Sequence, residues 1–190
     1  MDISEAIAGR RAVRDYTSEP VDEATLRALI ADAVQAPSAI NEQPWIFTVV
    51  RDQALLDRVS VKAKALMLAA TPAAALPGHA HAHAHAMLDD PHFQIFYHAP
   101  VLVLISATAP GPFVTEDCTL AAENLMLAAY GKGLGSCWIG LAQGYLDTPD
   151  GKAAFGLPAG CQPVAPIILG HPKSVAPPVA RKAPEIHWVG

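Results

Sequence analysis

Arg10, Arg11 and Arg14 fall within five residues of a chain whose formal net charge is -5. A guanidinium fork matches phosphate or carboxylate oxygens in paired hydrogen bonds, so this cluster suits a small anion. It equally fits a solvated helix end, where cations complement the C-terminal dipole. A second group lies in "APSAINEQPW", residues 36–45, which brings Pro37, Ser38, Asn41 and Gln43 into one short connection. Asn41 and Gln43 each offer a donor and an acceptor, and on an extended segment residues i and i+2 point the same way. That arrangement could read the edge of a flat heterocycle; ordinary turn chemistry, in which Ser and Asn bond their own backbone, is the competing account. A third group, "GLGSCWIG" at 133–140, sets Trp138, Ile139 and Gly140 among small residues that let a ligand approach the backbone. A plain helix-to-strand turn has the same composition. The G-x-G-x-x-G dinucleotide fingerprint is absent.

Two further features carry chemistry in principle. His79, His81, His83 and His85 alternate with alanine. Extended, they share one face; helical, they form two i, i+4 pairs, and either geometry can chelate a divalent metal. An exposed run of this kind lacks the hydrogen-bonded surroundings that fix metal ligands, so it reads as a surface loop whose imidazoles titrate near neutrality, and no metal site is assigned. Cys137 beside Trp138 reads as a buried, inert thiol, since no adjacent base is visible. His92 and His98 flank Phe93, Phe96 and Tyr97, and those aromatics read as core or dimer packing.

Elements must position these groups. Ile3, Ala6 and Ile7 make a helical stripe that Gly9 can end. Asp22 is a plausible N-cap for a helix running toward Pro37, which stops it. Ile46–Val50 reads as a strand and 53 to about 68 as a helix. Residues 69–92, rich in Ala, Pro and His, read as a surface loop or lid. Pro100–Ala107 is a continuous apolar run of the kind seen in a strand covered on both faces. Asp117–Tyr130 reads as a buried helix broken by Gly131–Gly135, followed by a short strand over Ser136–Ile139. Thr148 and Pro149 read as the cap and first turn of another short helix. Gln162–Leu169 reads as a strand, and the proline-rich tail carries Arg181 and Lys182. Helices and strands mix without βαβ alternation, which predicts an α+β sheet with helices on its faces.

The chain has 190 residues, 52% hydrophobic and 16% charged. One domain over 1–190 is expected, and the apolar balance suits an oligomer. The acidic net charge argues against a nucleic-acid partner. No apolar run reaches the roughly 20 residues that span a bilayer, so no membrane partner is expected. Three widely spaced cysteines give neither a disulfide framework nor a zinc pattern, and the N-terminus lacks a signal sequence; a cytoplasmic setting is expected.

The ordered set "RRAVRDY", "APSAINEQPW", "FYHAP", "ENLMLAAYGKGLGSCWIG", "APIILGHP" and "ARK" resembles the nitroreductase family of FMN-dependent oxidoreductases, over nearly the whole chain except residues 69–92. The resemblance implies a nitroreductase-like α+β fold, with a central, mostly antiparallel sheet flanked by helices, in an intertwined homodimer with two FMN sites at the interface. It implies that Arg10 and Arg14 bind the FMN phosphate with Arg11 beside them, and that Arg181, with Lys182, closes on the same phosphate. Pro37, Ser38, Asn41 and Gln43 would line the flavin held mainly by the neighbouring subunit. Trp138, Ile139 and Gly140 would run past the flavin edge, where a backbone N–H bonds it. No catalytic side chain is implied, because the flavin carries the chemistry. NADH or NADPH would donate hydride and a small acceptor, such as a nitroaromatic or quinone, would take electrons in ping-pong order.

Two departures limit what carries over. Gly140 stands where one subgroup has a glutamate beside the flavin, and the His/Ala lid matches no family pattern. An alternative keeps the fold but makes this a flavin-binding or metal-responsive protein whose histidine lid is the function. Reductive dehalogenation and flavin fragmentation are other uses of the same fold.

Overall fold

The computed structural model of the chain describes residues 2–70 and 86–190. Four strands form one antiparallel sheet: β1 (Trp45–Val50), β2 (Val101–Ala107), β3 (Gly135–Trp138) and β4 (Gln162–Gly170), in the order β1-β2-β4-β3. β2 and β4 are therefore the inner strands, and β1 and β3 the outer ones. Val101 lies opposite Leu169 and Gly135 opposite Gly170, with a bulge in β2 between Ile105 and Ser106.

Every residue of β2 is buried, as its unbroken apolar run predicts. The reason is a helical layer on each face. Val101, Val103 and Ile105 pack with α2 (Glu23–Ala33) and α4 (Val114–Gly131) through Leu26, Leu29, Cys118, Ala122 and Leu125. Leu102 and Leu104 pack on the other face with Leu56, Val59 and Ala63 of α3 (Gln53–Ala70). Tyr145 and Leu146 of α5 (Gln143–Leu146), with Phe155 just after α6 (Pro149–Ala154), complete that layer. Antiparallel strands usually alternate because one face meets water; here neither does.

Local signals set the helix ends. α1 (Ile3–Gly9) starts at a capping box, in which the Asp2 carboxylate accepts the Glu5 N–H at 2.9 Å and Glu5 accepts the Asp2 N–H at 3.0 Å. Asp22 caps α2 at 2.8 Å, and Thr148 caps α6 with Pro149 in the first turn. Gly9 faces the Tyr130 phenol so closely that a Cβ there would collide with it.

The strands differ from the sequence reading by one residue at one or both ends, and the larger differences are in the helices. α2 ends at Ala33, short of Pro37, and residues 34–36 make turn hydrogen bonds instead. α4 begins at Val114, because Glu116 and Asp117 favour a helix N-terminus although they extend no apolar stripe. α3 runs to Ala70 and residues 86–89 are helical, so the expected loop over 69–92 is helical at both margins. The histidine run from His79 to His85 lies outside the described residues.

Candidate functional site

The arginine-bearing loop is tied to β3. Ala12 bridges Ser136 in parallel, the Val13 N–H donates to the Ser136 carbonyl at 3.0 Å, and Tyr16 bridges Pro172. Gly135 permits this approach, since a Cβ there would stand 2.8 Å from the Val13 side chain. The structure thus brings Arg10, Arg11 and Arg14 alongside the strand that leads into Trp138, Ile139 and Gly140.

The three guanidinium groups are poorly neutralised. Arg10 Nε is 3.7 Å from Glu123 Oε1, the one carboxylate it meets among the described residues, and no carboxylate there pairs with Arg14. Arg11 donates from Nη1 to the carbonyls of Ala8 and Arg10, both at 2.7 Å, while its buried Nε has no partner. Arg10 and Arg11, with Pro172, Ser174, Val175 and Ala176, line a cavity of about 230 Å³, as do Tyr130 and Ser136.

Burial pushes the Cys137 thiol above its ordinary value, with Arg14 and then Arg10 pulling it down. Burial outweighs both cations. Burial raises the neighbouring Tyr16 phenol as well, and that hydroxyl donates to the Val13 carbonyl at 2.6 Å.

Trp138 is half-buried and Ile139 buried, its N–H donating to the Pro166 carbonyl at 2.8 Å. Gly140 is exposed and opens a 3-10 turn, so its N–H is one that a helical turn leaves without an internal partner. A Cβ at Gly140 would meet no protein atom within 4 Å. Neither crowding within the chain nor a left-handed backbone demands glycine at this position.

The amide loop differs from expectation. Asn41 and Gln43 do not lie on an extended segment. Residues 39–41 form a 3-10 turn in which Ile40 and Asn41 adopt φ of 47 and 59°, and Gln43, just after the turn, adopts φ of 52°. Asn41 Oδ1 accepts from Gln43 Nε2 at 3.0 Å, and the Ser38 hydroxyl accepts the Gln43 N–H at 2.9 Å. The two amides thus bond each other, and the turn-chemistry account of this loop describes the isolated chain. Left-handed backbone is a real outlier for β-branched Ile40, whose side chain is also 97% exposed.

What holds this loop is Asp117 of α4, a residue the sequence reading missed. Its buried Oδ1 accepts the Ala39 N–H at 2.9 Å, and its Oδ2 is buried without a partner. In the sequence Asp117 reads as an ordinary first-turn acid beside Glu116, and a partner 78 residues away leaves no local pattern.

One chain does not unite these groups. The amide loop enters β1, while the arginines flank β3, at opposite edges of the sheet. Three strand spacings of about 4.8 Å separate those edges. Arg181 and Lys182 are exposed on a tail in which, among the described residues, no hydrogen bond joins 177–190 to the body. No group of three or more His, Cys, Asp or Glu could hold a metal, and no helix is long and apolar enough to cross a membrane, among the described residues.

Comparison with known proteins accords with this architecture. The Nitroreductase family model matches residues 7–171. A Methanothermobacter thermautotrophicus protein, named by inference an NADH dehydrogenase/NAD(P)H nitroreductase, is 30% identical over 90% of this chain and 78% of its own. The 5,6-dimethylbenzimidazole synthase of Rhodospirillum rubrum is 30% identical over 95% of this chain and 84% of its own. The crystal structure of a Bacteroides fragilis nitroreductase with bound FMN superposes with a TM-score of 0.85 at 26% identity, covering both chains fully. Matched over most of its length in sequence and throughout in fold, the chain belongs to the nitroreductase family.

Proposed function

We propose that this protein is an FMN-dependent oxidoreductase whose 1–190 domain works as a homodimer, with each flavin held between two copies. The observation that carries this reading is the division of the site. Under-neutralised arginines flank β3, the edge strand that leads to an open Gly140, and a strained amide loop with exposed Ile40 enters the strand at the other edge. A second copy can set the two halves against each other. The relatives described above support the cofactor.

The residues suit FMN. Arg10 and Arg14 hold the phosphate, with Arg11 beside them offering its partnerless Nε–H. Arg181 and Lys182 close on the same anion from the tail. Gly140 leaves room for the ring edge and presents its N–H to it, with Trp138 and Ile139 forming the wall. Ser38, Asn41 and Gln43, with Pro37 fixing the turn, face the ring from the other copy. There the Asn41–Gln43 bond gives way to bonds with the heterocycle. When bound, FMN would supply the redox chemistry between NADH or NADPH and a small acceptor such as a nitroaromatic or quinone, with ping-pong kinetics. The chain's own part is binding, orientation and exclusion of water.

The test is steady-state oxidation of NADH and NADPH by FMN-loaded protein with a quinone or nitroaromatic. Parallel reciprocal plots support the reading; donor oxidation that no acceptor accelerates opposes it. A second reading, flavin cleavage, is favoured by the 5,6-dimethylbenzimidazole synthase relative. Release of a benzimidazole from reduced flavin under oxygen would establish it.

A further inference from the structure

Residues 90–99 are fastened to α3 by a stripe of polar side chains at 53, 57, 60 and 64, one face of a helix. Gln53 Nε2 donates to the Ala99 carbonyl at 3.0 Å, and Asp57 Oδ1 accepts from Gln94 Nε2 at 3.1 Å. The Ser60 hydroxyl accepts the Ile95 N–H at 3.0 Å. Lys64, 7% exposed, donates from Nζ to the carbonyls of Asp90 and Phe93, both at 2.7 Å. Ile95 and Phe96 are fully buried between these ties.

The fastened segment contains two successive left-handed residues, Tyr97 and His98, each with φ of 52°. Neither is a glycine, and such a conformation persists where the surroundings impose it. The turn delivers the Tyr97 ring to Arg14, whose guanidinium carbon lies 5.9 Å from the ring centroid. Phe93 meets the same ring edge-on, with centroids 5.6 Å apart and planes at 75°, and so braces its orientation. Arg14 has no carboxylate partner among the described residues, and its side chain is exposed. Among the described residues, the Tyr97 ring is the one aromatic face that Arg14 meets.

We propose that Tyr97 is a positioning residue, whose ring, fixed by the Gln53–Lys64 stripe, holds the Arg14 guanidinium at the edge of β3 where the anionic cofactor binds. The contact is a cation–π pair that fixes a long, flexible side chain before the ligand arrives. This rests on the reading that Arg14 contacts FMN.

The test is titration of apoprotein with FMN, followed by flavin fluorescence, for wild type, Tyr97→Phe, Tyr97→Leu, Arg14→Ala and the Arg14→Ala/Tyr97→Leu double variant. Tyr97→Phe keeps the ring face and binds as wild type. Tyr97→Leu weakens binding by about 2- to 5-fold, the size of an exposed cation–π pair. The double variant is no weaker than Arg14→Ala alone, because the ring acts only through the arginine. If Tyr97→Leu fails to fold, Tyr97→Asn replaces it, since asparagine accepts the left-handed backbone. Wild-type affinity in Tyr97→Leu or Tyr97→Asn, beside a weakened Arg14→Ala, overturns the proposal alone. Wild-type affinity in Arg14→Ala overturns it together with the phosphate reading. Additive losses in the double variant also overturn it.

Discussion

Replacing Arg10 with alanine isolates the electrostatic half of the site. Arg10 is the C-cap residue of α1, and its one carboxylate neighbour among the described residues is Glu123, 3.7 Å away. The two side chains are 22% and 48% exposed, so this pair is worth about 0–1 kcal/mol and is given up readily when a stronger anion arrives. A hydrogen bond to a charged group is worth about 1.5–3 kcal/mol. At about 1.4 kcal/mol per decade, Arg10→Ala should weaken FMN binding by about 10- to 150-fold. Arg27→Ala is the control, because Arg27 lies on the exposed face of α2, paired with Glu23. Its loss should leave FMN affinity unchanged. Salt gives an independent reading: between about 0.01 and 0.1 M ionic strength the screening length falls from about 30 to about 10 Å. Over that range wild type should lose more affinity than Arg10→Ala. The assay is quenching of FMN fluorescence by apoprotein. An Arg10→Ala protein within about twofold of wild type, with the same salt slope, would refute the phosphate assignment.

Other outcomes follow from the same geometry. Asp117→Ala strands the Ala39 N–H and should cost about 1–3 kcal/mol in urea unfolding, whereas Asp117→Asn keeps an acceptor at Oδ1 and should cost less. Both should weaken FMN binding through the 38–43 loop; an Asp117→Ala protein that binds FMN as wild type would detach the loop from the site. Stability should fall at alkaline pH. Burial, and then the Asp117 charge, push the Cys118 thiol up to about 12 from an ordinary 9.0, and burial also raises Cys137 and Tyr16. The folded chain keeps these protons where the unfolded chain has lost them. Stability is therefore whole below about pH 9 and declines as pH rises toward 12. Thermal melts from pH 7 upward should show this decline; a flat profile would contradict the burial of these groups.

Much of the fold is legible in the sequence because its signals are local. The Asp22 cap, the Thr148–Pro149 start and the apolar run of β2 each act within a few residues, and the structure has them as read. The ordered family segments add the antiparallel sheet, which periodicity alone does not give. The left-handed turn at Ile40 and Asn41 was not legible, since neither residue demands it and Asp117, which ties the preceding Ala39, lies 78 residues beyond that residue. The same holds for the fastening of residues 90–99 to α3 and for the meeting of Tyr97 with Arg14. Long-range pairing chose these conformations over local preference. The candidate site residues come from the family resemblance as a set, and their division between two sheet edges follows from strand order.

The most direct test of that division is the mass of the protein in solution measured with its bound flavin. Purified protein reconstituted with FMN should run at twice the chain mass with one FMN per chain. Anaerobic NADH or NADPH should bleach its flavin spectrum. A monomer that holds FMN tightly would contradict the shared site, and a protein that binds no FMN would contradict the functional account as a whole.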